Sequence, residues 1–312
     1  MAEVSVIVPA RDAAATLGRA LAALGAQEGA PDFEVIVVDD GSRDGTAQLA
    51  ERAGARTVRA AGDGPARARN AGAAAASGAV LAFTDADCYP TPGWLAGALR
   101  ALDGADLVQG AVAPEPGVEV GAFDRTIWVT RPHGLFETAN LVVRRELFDA
   151  LGGFESWLAP ADGKELGEDV WFGWSARRAG ARIRFAPDAL VHHAVFPGGP
   201  GDLLAARARL RYFPALVARI PELREALLWG RVFLEPRTAA FDAALAGLAV
   251  AVVARRPAAA ALALPYAALT ARALRGHPPR FKVKLALARV AADAVGAWSL
   301  AAGSVAYRAP VL

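Results

Sequence analysis

The chain has almost no capacity for disulfide chemistry. Its 312 residues include a single cysteine, Cys88, so an internal disulfide framework is excluded, and the composition is typical of a reducing compartment. The fold must therefore rest on a packed core, for which the 54% of hydrophobic residues provides. The length suits one large domain or two smaller ones. Because Met1-Ala2-Glu3 lacks a basic start, we expect no signal peptide.

Acidic side chains are scarce in the last third of the chain. Residues 1–200 carry 18 basic and 26 acidic side chains, whereas residues 201–312 carry 16 basic and 6 acidic ones. The net charge of +2 is therefore the sum of an acidic first part and a basic tail. A basic tail indicates an anionic binding partner, either a membrane surface or a nucleic acid. Since the tail is also rich in Ala and Leu and almost without side-chain amides, we expect a membrane partner and no nucleic acid.

The tail also lacks an uninterrupted apolar run of spanning length. Charge-free stretches cover residues 243–254 and 258–271, with Arg255 and Arg256 between them, and an amphipathic stretch covers residues 281–307. Each falls short of the roughly 20 apolar residues of a clean span. A spanning hairpin would also place the two arginines on the far side, against the positive-inside tendency. We therefore favour interfacial or re-entrant helices over a short spanning pair or a soluble helical subdomain.

Strand and helix patterns alternate in the first part of the chain. Apolar runs at 4–9, 33–38 and 79–83 predict buried strands, and residues 55–60 predict a shorter one. Between them, helices are predicted at 13–27, from 44 to about 53 and at 70–77. The alternation predicts an α/β fold with a mostly parallel sheet and helices on both faces. In such sheets ligands bind at the carboxyl ends of the strands, near a switch in strand order.

Carboxylates follow two of these predicted strands. Asp39 and Asp40 come after the second strand, and Asp85 and Asp87 come after the strand at 79–83. In an extended segment Asp85 and Asp87 point to the same side. Two like charges held close together favour a hard divalent cation, which also bridges to phosphate. The sequence therefore predicts a metal–diphosphate site here, although a solvated loop explains such a motif equally well.

Two arginines belong to the same predicted rim. Arg67 and Arg69 lie in a stretch at 62–69 that we interpret as a Gly- and Arg-containing loop before the helix at 70–77. There they would meet phosphate oxygens, with ordinary surface charge as the alternative explanation.

Four motifs occur in a fixed order along this region. They are Val-Ser-Val-Ile-Val-Pro-Ala-Arg-Asp at 4–12, Val-Ile-Val-Val-Asp-Asp-Gly-Ser at 35–42, Gly-Pro-Ala-Arg-Ala-Arg-Asn-Ala-Gly at 64–72 and Phe-Thr-Asp-Ala-Asp at 83–87. Together they resemble the signature of family 2 glycosyltransferases of the GT-A fold. No single motif is specific, but four in sequence are, and the resemblance extends over about residues 4–212.

The resemblance implies a nucleotide-diphosphate sugar as donor, with Mn or Mg as divalent metal. It implies a donor-binding set of Pro9, Arg11, Asp39, Asp40, Arg67, Arg69, Asn70 and Asp85. Within it, Asp39 would bind the nucleotide base, with Asp40 beside it, and Asp85 would face the ribose or the sugar. Asp87 would hold the metal, with Asp85 as a second carboxylate. Asn140, on a strand predicted near 137–145, would face the donor sugar or the acceptor.

A Glu-Asp pair stands at the predicted start of a helix. Glu168 and Asp169 there are explained in part by the favourable interaction of negative charge with a helix N-terminus. Displacement of a nucleoside diphosphate from an anomeric carbon, however, needs a base for the incoming hydroxyl. The resemblance implies that this base is Asp169, in preference to Glu168.

Histidines offer one further metal ligand. Neighbouring residues on a strand point to opposite faces, so at most one of His192 and His193 faces the site. Related enzymes use a late histidine in the metal shell, and imidazole is an acceptable though softer ligand; the choice between the two stays open. His133 is interpreted as a surface loop residue rather than a ligand.

The expected protein is a metal-dependent, inverting, GT-A glycosyltransferase that moves one sugar to a lipid or glycan acceptor. Residues 1–220 would form the catalytic domain and residues 221–312 a helical, membrane-associated region, at the cytoplasmic face of the cell membrane. Processive synthases carry Gln-x-x-Arg-Trp, but Ala208 and Tyr212 stand at its Gln and Trp positions, which favours single transfer and synthesis of a cell-envelope glycan.

Three alternatives are weaker. A dinucleotide oxidoreductase needs Gly-x-Gly-x-x-Gly after the first strand, but residues 9–14 read Pro-Ala-Arg-Asp-Ala-Ala. A phosphatase with an Asp-x-Asp nucleophile would carry that motif after its first strand, not near residue 85. A non-catalytic membrane scaffold would bind no nucleotide.

Overall fold

The chain divides into two compact units. A computed structural model describes residues 3–160 and 165–312, so the first two residues, on which the expectation about a signal peptide depends, lie outside it. Unit 1 comprises Met1–Val120 and Arg125–Phe196, and unit 2 comprises Gly121–Asp124 and Pro197–Leu312. The predicted domain limit at residue 220 lies within unit 2 and stays a prediction.

Unit 1 is built on one eight-stranded sheet. The strands are β1 (Val4–Ala10), β2 (Phe33–Asp39), β3 (Arg56–Arg59), β4 (Val80–Thr84), β5 (Cys88–Pro90), β6 (Leu107–Pro114), β7 (Asn140–Arg144) and β8 (Ile183–His193). Their order across the sheet is β3-β2-β1-β4-β7-β6-β8-β5. The predicted α/β fold is confirmed, and the sheet is mixed: four of the seven neighbouring pairs are parallel, and the pairs β4–β7, β6–β7 and β5–β8 are antiparallel.

The parallel half of the sheet sets the position of the site. In β1, Val4 pairs with Phe33 of β2 and with Val80 of β4, and the three strands run side by side in one direction. The chain passes from β1 to β2 on one side and returns to β4 on the other. Such a reversal of strand order opens a crevice at the carboxyl ends.

Among the residues that the structure describes, six helices complete unit 1. They are α1 (Leu17–Gly25), α2 (Thr46–Arg52), α3 (Pro65–Ala75), α4 (Trp94–Leu102), α5 (Arg145–Ala150) and α6 (Glu168–Arg178). Helix α3 starts earlier than the predicted 70–77, because Pro65 is at the first helical turn, where its fixed φ and missing N–H are favourable. The predicted loop at 62–69 is thus helical from Pro65 onward, which alters where its side chains point.

The segment between β4 and β5 is a turn rather than the expected extended segment. The N–H of Cys88 donates to the carbonyl of Asp85 over 3.0 Å. This turn directs Asp85 and Asp87 toward different partners, described below.

Four phenylalanines form an aromatic cluster that joins β4 to α6. Ring centroids of Phe83, Phe148, Phe154 and Phe172 lie 4.9 to 5.5 Å apart in tilted or edge-on pairs. Phe83 precedes the Asp85 turn and Phe172 lies on α6, so the cluster fixes these two elements against each other. Edge-on and tilted arrangements are those that aromatic rings favour in cores.

Unit 2 is helical. Its helices are α7 (Pro200–Ala208), α8 (Phe213–Arg219), α9 (Leu223–Ala226), α10 (Pro236–Val253), α11 (Leu264–Ala273) and α12 (Pro279–Tyr307), with 3-10 turns at Arg209–Tyr212 and Pro257–Ala263. Among the described residues, α10 and α12 are long and apolar enough, by length and composition, to cross a membrane. Both helices reach this length only by including charged residues, such as Arg237 and Asp242 of α10. The choice between interfacial and spanning helices stays a prediction.

An ion pair joins the helices of unit 2. Arg237 of α10 donates through Nε and Nη2 to one carboxylate oxygen of Asp293 on α12, over 2.9 and 2.6 Å. Tyr266 of α11 donates its hydroxyl to the same oxygen over 2.7 Å, and the Arg237 guanidinium lies over its ring. These hydrogen bonds therefore connect α10, α11 and α12 at one point, while most of the other side chains on these helices are apolar.

We predict that Glu34 stabilises unit 1 in a pH-dependent way. Burial opposes its ionisation, but hydrogen bonds from Ser77 and Ser5 outweigh this and lower the pKa of Glu34 to about 2. Because the pKa of the folded state is depressed, the stabilisation is present above the unfolded pKa and is lost as pH falls through about 2. Glu34→Gln should lower the free energy of unfolding by ~2 kcal/mol at neutral pH.

Urea unfolding at several pH values measures this effect. The difference between wild type and Glu34→Gln should shrink below the usual glutamate pKa, whereas the exposed control Glu28→Gln should match wild type throughout. A constant difference across that range would contradict the assignment.

Candidate active site

A cavity of about 1,000 Å³ opens at the carboxyl ends of β1, β2 and β4. Five residues predicted for the donor line it: Pro9, Arg11, Asp40, Arg69 and Asp85. Asp87 and His193, predicted as metal ligands, line it as well. The parallel strands end at one edge of the sheet, which explains how residues far apart in sequence meet here.

Arg69 lies at the centre of a buried charge network. Its Nη2 donates to Asp85 over 2.9 Å and its Nη1 to Glu168 over 3.0 Å, while only 5% of the residue is exposed. Burial disfavours the charge, but the two carboxylates outweigh it and raise the pKa of Arg69 above its usual value. Arg69 therefore links Asp85 to Glu168 in the cavity wall, and the expectation that it meets phosphate oxygens stays a prediction.

Asp87 and His193 face each other across the cavity wall. His193 Nε2 lies 3.6 Å from Asp87 Oδ2, and His193 Nδ1 lies 2.6 Å from the carbonyl of Ala194. A carbonyl only accepts, so Nδ1 carries a proton, and in the neutral tautomer Nε2 presents its lone pair to the carboxylate. Two facing acceptors suit a cation between them. Burial and the charge of Asp85 raise the pKa of Asp87, and a cation at this position would relieve that repulsion.

The sequence left open whether His192 or His193 faces the site, and the structure has His193 in the cavity lining. His192 precedes it on β8 and contacts the carbonyl of Pro114 through Nδ1 at 3.2 Å. His193 pairs with Cys88 across β5, and the Cys88 thiol lies in the same cluster as Asp87 and His193, the three ligand atoms within 4.8 Å of one another. Burial raises the pKa of this thiol well above its usual value, so it stays protonated, which suits a neighbour of a hard cation better than a ligand.

Asp40 fixes the glycine-rich entry to α3. Its Oδ2 accepts from the N–H of Gly64 over 3.1 Å, while its other oxygen is buried without a partner. Gly64 has φ 103°, a conformation that favours glycine. Arg11 lies 3.9 Å from the same carboxylate, with its side chain 56% exposed. Asp40 and Arg11 both line the cavity, although the second oxygen of Asp40 is itself buried.

Four residues predicted for the donor or acceptor side do not line the cavity, and neither do Glu168, Asp169 and His192. Asp39 is buried beside Asp40 and accepts from the N–H of Ser42 over 3.2 Å. Arg67 is exposed and pairs with Asp63, and Asn70 bonds both backbone groups of Phe154. Since α3 turns about 100° per residue, the side chains of 67, 69 and 70 cannot share one face. Only Arg69 of the three reaches the cavity.

Asn140, the fourth, is fully buried and has a structural role. It accepts from the indole N–H of Trp94 over 2.8 Å and donates to the carbonyls of Ala111 and Ala189. Gly110 leaves the room for it, because a side chain at that position would collide with the amide. The expectation that Asn140 faces sugar or acceptor is corrected: its polar atoms are all satisfied inside the sheet.

The Glu-Asp pair starts α6 as predicted. Glu168 is 7% exposed and bound to Arg69, whereas Asp169 is half-buried and its Oδ1 accepts from the N–H of Val170 over 2.8 Å. Burial and the charge of Glu168 raise the pKa of Asp169 well above its ordinary value, although Arg69 opposes this. A carboxylate with a raised pKa takes up a proton more readily, as a general base must.

Two lining residues escaped the sequence reasoning. Arg125 lies over the ring of Phe196, 4.8 Å from its centroid, and faces the Asp87 side of the cavity. Glu165 accepts from the N–H of Ala66 over 3.2 Å at the start of α3. Neither belongs to a motif or a periodic segment, so no sequence signal could have identified them.

Comparison with known proteins places this site in a family. The profile described as "Glycosyl transferase family 2" matches residues 5–156. "Glycosyltransferase AglE" of Haloferax volcanii is 31% identical over 224 residues, which cover 66% of this chain and 71% of the relative. "Pre-mycofactocin glycosyltransferase" of Mycobacterium tuberculosis is 29% identical over 212 residues, but the chain spans only 42% of its length.

Solved structures share the fold. A mannosyltransferase, PcManGT of Pyrobaculum calidifontis, solved with GDP-Man and Mn²⁺, superposes with a TM-score of 0.66 at 24% identity, covering 95% of this chain and 87% of that one. TarS 1–349 of S. aureus with UDP-GlcNAc gives a TM-score of 0.52 at 18% identity, covering 98% and 92%. The GT-A fold predicted from the sequence is therefore confirmed. By profile, relatives and fold, this chain belongs to the family 2 glycosyltransferases and is a glycosyltransferase enzyme.

Proposed function

We propose that this glycosyltransferase moves a single sugar, with inversion, from a nucleotide-diphosphate donor to a lipid or glycan acceptor at the cytoplasmic face of the cell membrane. The observation that carries the proposal is the large cavity in which Asp85, Asp87 and His193 lie together at the carboxyl ends of parallel strands. The family membership contradicts the oxidoreductase and scaffold alternatives.

The cavity suits a nucleotide-diphosphate sugar in size and charge. About 1,000 Å³ is at the upper end of the range for small-molecule pockets. Arg11 is largely exposed, and Arg125 lies beside the Asp87 end, so both present positive charge toward a diphosphate. Asp40 lines the same cavity and is proposed to lie beside the base or the ribose. GDP-Man and UDP-GlcNAc, bound by the solved neighbours, are donors of this class.

Asp87 and His193 fit a hard divalent cation, Mn or Mg. The bond from Nδ1 of His193 to the carbonyl of Ala194 orients the ring, so that Nε2 faces the carboxylate of Asp87, whose pKa is raised by burial. When bound, such a cation neutralises charge on the leaving diphosphate. Asp85 contributes negative charge nearby while its own oxygen is held by Arg69.

Asp169 is proposed as the base that receives the proton of the acceptor hydroxyl. It stands on the first turn of α6, and its neighbour Glu168 is fixed to the cavity wall through Arg69. Loss of this proton makes the acceptor oxygen a stronger nucleophile. The oxygen then forms a bond to the anomeric carbon while the bond from that carbon to the diphosphate breaks. Attack from the face opposite the leaving group inverts the configuration.

Unit 2 is proposed as the membrane attachment. Of the seventeen large apolar side chains that are exposed among the described residues, thirteen lie between Leu245 and Val305. A soluble monomer seldom exposes so much apolar surface in one region. Arg255, Arg256, Arg272 and Arg275 separate α10 from α12, so insertion in the interface agrees better with the charge pattern than a spanning hairpin.

We predict that His193→Ala weakens Mn²⁺ binding about tenfold or more and that Asp87→Asn abolishes metal-dependent binding of GDP or UDP. His192→Ala is the matched control, because His192 contacts Pro114 instead of the site. Titration of Mn²⁺ by electron paramagnetic resonance, with calorimetry of the nucleotides, measures both effects. Wild-type binding in Asp87→Asn would refute the metal assignment.

We predict that Asp169→Asn keeps donor binding but lowers the transfer rate by ~10² to 10⁴. Because the pKa of Asp169 is raised, wild-type activity should fall on the acid side at higher pH than for an ordinary aspartate. Glu168→Gln removes one cause of that raised pKa, so it should move the acid limb to lower pH. Full activity of Asp169→Asn with loss in Glu168→Gln would instead assign the base to Glu168.

We predict that the full chain floats with vesicles containing anionic lipid and stays bound after a high-salt or carbonate wash. Val252 and Val253 are 76% and 83% exposed on α10, so replacing both with Glu should release the protein. Val118→Glu, on an exposed apolar residue of unit 1, is the control and should float like wild type. Recovery of the full chain as a soluble monomer without detergent would show that unit 2 is a packed soluble subdomain.

A further inference from the structure

Arg69 forms a bridge between the donor cavity and the first turn of α6. Its Nη2 donates to Asp85, which lines the cavity, and its Nη1 donates to Glu168, which does not. The side chain of Asp85 is 26% exposed, whereas those of Arg69 and Glu168 are 7% and 9% exposed. The bridge therefore has one end that faces the cavity and one end enclosed by the protein.

The two carboxylates compete for the charge of one guanidinium. Each receives a single bond from a terminal nitrogen of Arg69, and the buried Nε has no partner among the described residues. Within the same part of the chain, Arg69 is also the one cation at ion-pair distance from Asp85 or from Glu168. In a buried network the strength of each bond depends on the others, so a change at one carboxylate alters how strongly the other is held.

Asp85 carries this competition to the site proposed for the divalent cation. Burial raises the pKa of Asp87, and the charge of Asp85 adds to this effect, so the two carboxylates interact across the cavity wall. The more strongly Asp85 is held by Arg69, the less of its negative charge remains for a cation. The strength of the bond between Arg69 and Glu168 therefore decides how much of the charge of Asp85 acts in the cavity.

We propose that Arg69 and Glu168 are positioning residues for the cation site, through which the first turn of α6 controls the affinity of the donor cavity for a divalent cation. Glu168 draws the guanidinium away from Asp85 and leaves Asp85 free to act beside Asp87. The inference rests on the proposed function, because it takes Asp85 and Asp87 as the carboxylates of the cation site.

A coupling of this kind acts in both directions. If Glu168 increases the affinity of the cavity for a cation, occupation of the cation site strengthens the interaction between Arg69 and Glu168 by the same free energy. Glu168 directly precedes the proposed base, Asp169, on the first turn of α6. That turn is therefore held most firmly when the donor site is occupied, which is the stage at which the base is needed.

Asp169 provides a matched control for Glu168. Both carboxylates lie on the first turn of α6, so both experience the same helix N-terminus. Asp169 Oδ1 accepts from the N–H of Val170, and across the described residues no hydrogen bond or ion pair joins Asp169 to Arg69. A general effect of lost negative charge therefore appears in variants of both residues, whereas an effect through Arg69 appears only in variants of Glu168.

Titration of the full chain with Mn²⁺, followed by electron paramagnetic resonance in the absence of nucleotide, measures the coupling. Glu168→Gln keeps the size of the side chain and its acceptor oxygen but removes the charge, so Mn²⁺ binding should weaken about tenfold. Asp169→Asn should weaken it about twofold at most, because the bonds of Arg69 stay unchanged. Circular dichroism and thermal unfolding show whether each variant is folded.

A double-mutant cycle tests the route through Arg69. Arg69→Lys keeps the buried positive charge but supplies one ammonium in place of the forked guanidinium, so the two bonds no longer belong to one planar group. In the Arg69→Lys chain, Glu168→Gln should change the affinity for Mn²⁺ about twofold at most. A tenfold effect in one background and a twofold effect in the other is a pairwise interaction, which a loss of stability alone does not produce. If Arg69→Lys does not fold, the comparison of Glu168→Gln with Asp169→Asn decides by itself.

Three results would overturn the proposal. They are an affinity of Glu168→Gln for Mn²⁺ equal to or above that of wild type, equal weakening in Glu168→Gln and Asp169→Asn, and an undiminished effect of Glu168→Gln in the Arg69→Lys chain. Absence of Mn²⁺ binding in wild type would instead refute the cation site of the proposed function, and this inference with it.

Discussion

The guanidinium of Arg69, held between Asp85 and Glu168, is the interaction on which the arrangement of the donor cavity depends. Arg69 lies on α3 and donates one hydrogen bond of 2.9 Å to Asp85 in the turn after β4 and one of 3.0 Å to Glu168 on the first turn of α6. These two bonds connect the three elements. Removing one partner of a buried ion pair typically costs about 3–5 kcal/mol, because a charge is left buried and uncompensated. Two carboxylates share one cation here, so the site retains net negative charge, which favours a metal ion.

The geometry around Arg69 divides the acidic residues by role. Glu168 and Asp85 are occupied by the arginine, whereas Asp87 and Asp169 are left without such a partner, and the pKa of each is raised by burial and by its paired neighbour. One of the free carboxylates lies beside His193 and the other starts α6. The same network thus has the proposed cation site at one end and the proposed proton acceptor at the other.

A cavity of about 170 Å³ lies further along α6, beside Arg177. Its walls come from β6, β8 and the segment 131–137, and Gly173 permits that segment to lie directly on the helix. Helix α6 therefore carries the proposed base at one end and a wall of this cavity toward the other. Unit 2 has a different construction, in which Arg237, Tyr266 and Asp293 join three helices whose outward surfaces are mostly apolar.

The sequence by itself determined the α/β fold, the family and the short motifs, because strand periodicity, charge-free runs and ordered motifs are local properties of the chain. It also brought Asp40, Asp85 and Asp87 to one edge, since parallel strands end together. Only the tertiary structure decided which side chains of a motif point inward. The start of α3 at Pro65 turned Arg67 and Asn70 away from Arg69, and strand pairing buried Asn140 and chose His193 over His192. Arg125, Glu165 and the cavity around Gln109 depend on contacts between distant segments, which leave no periodic trace in the sequence.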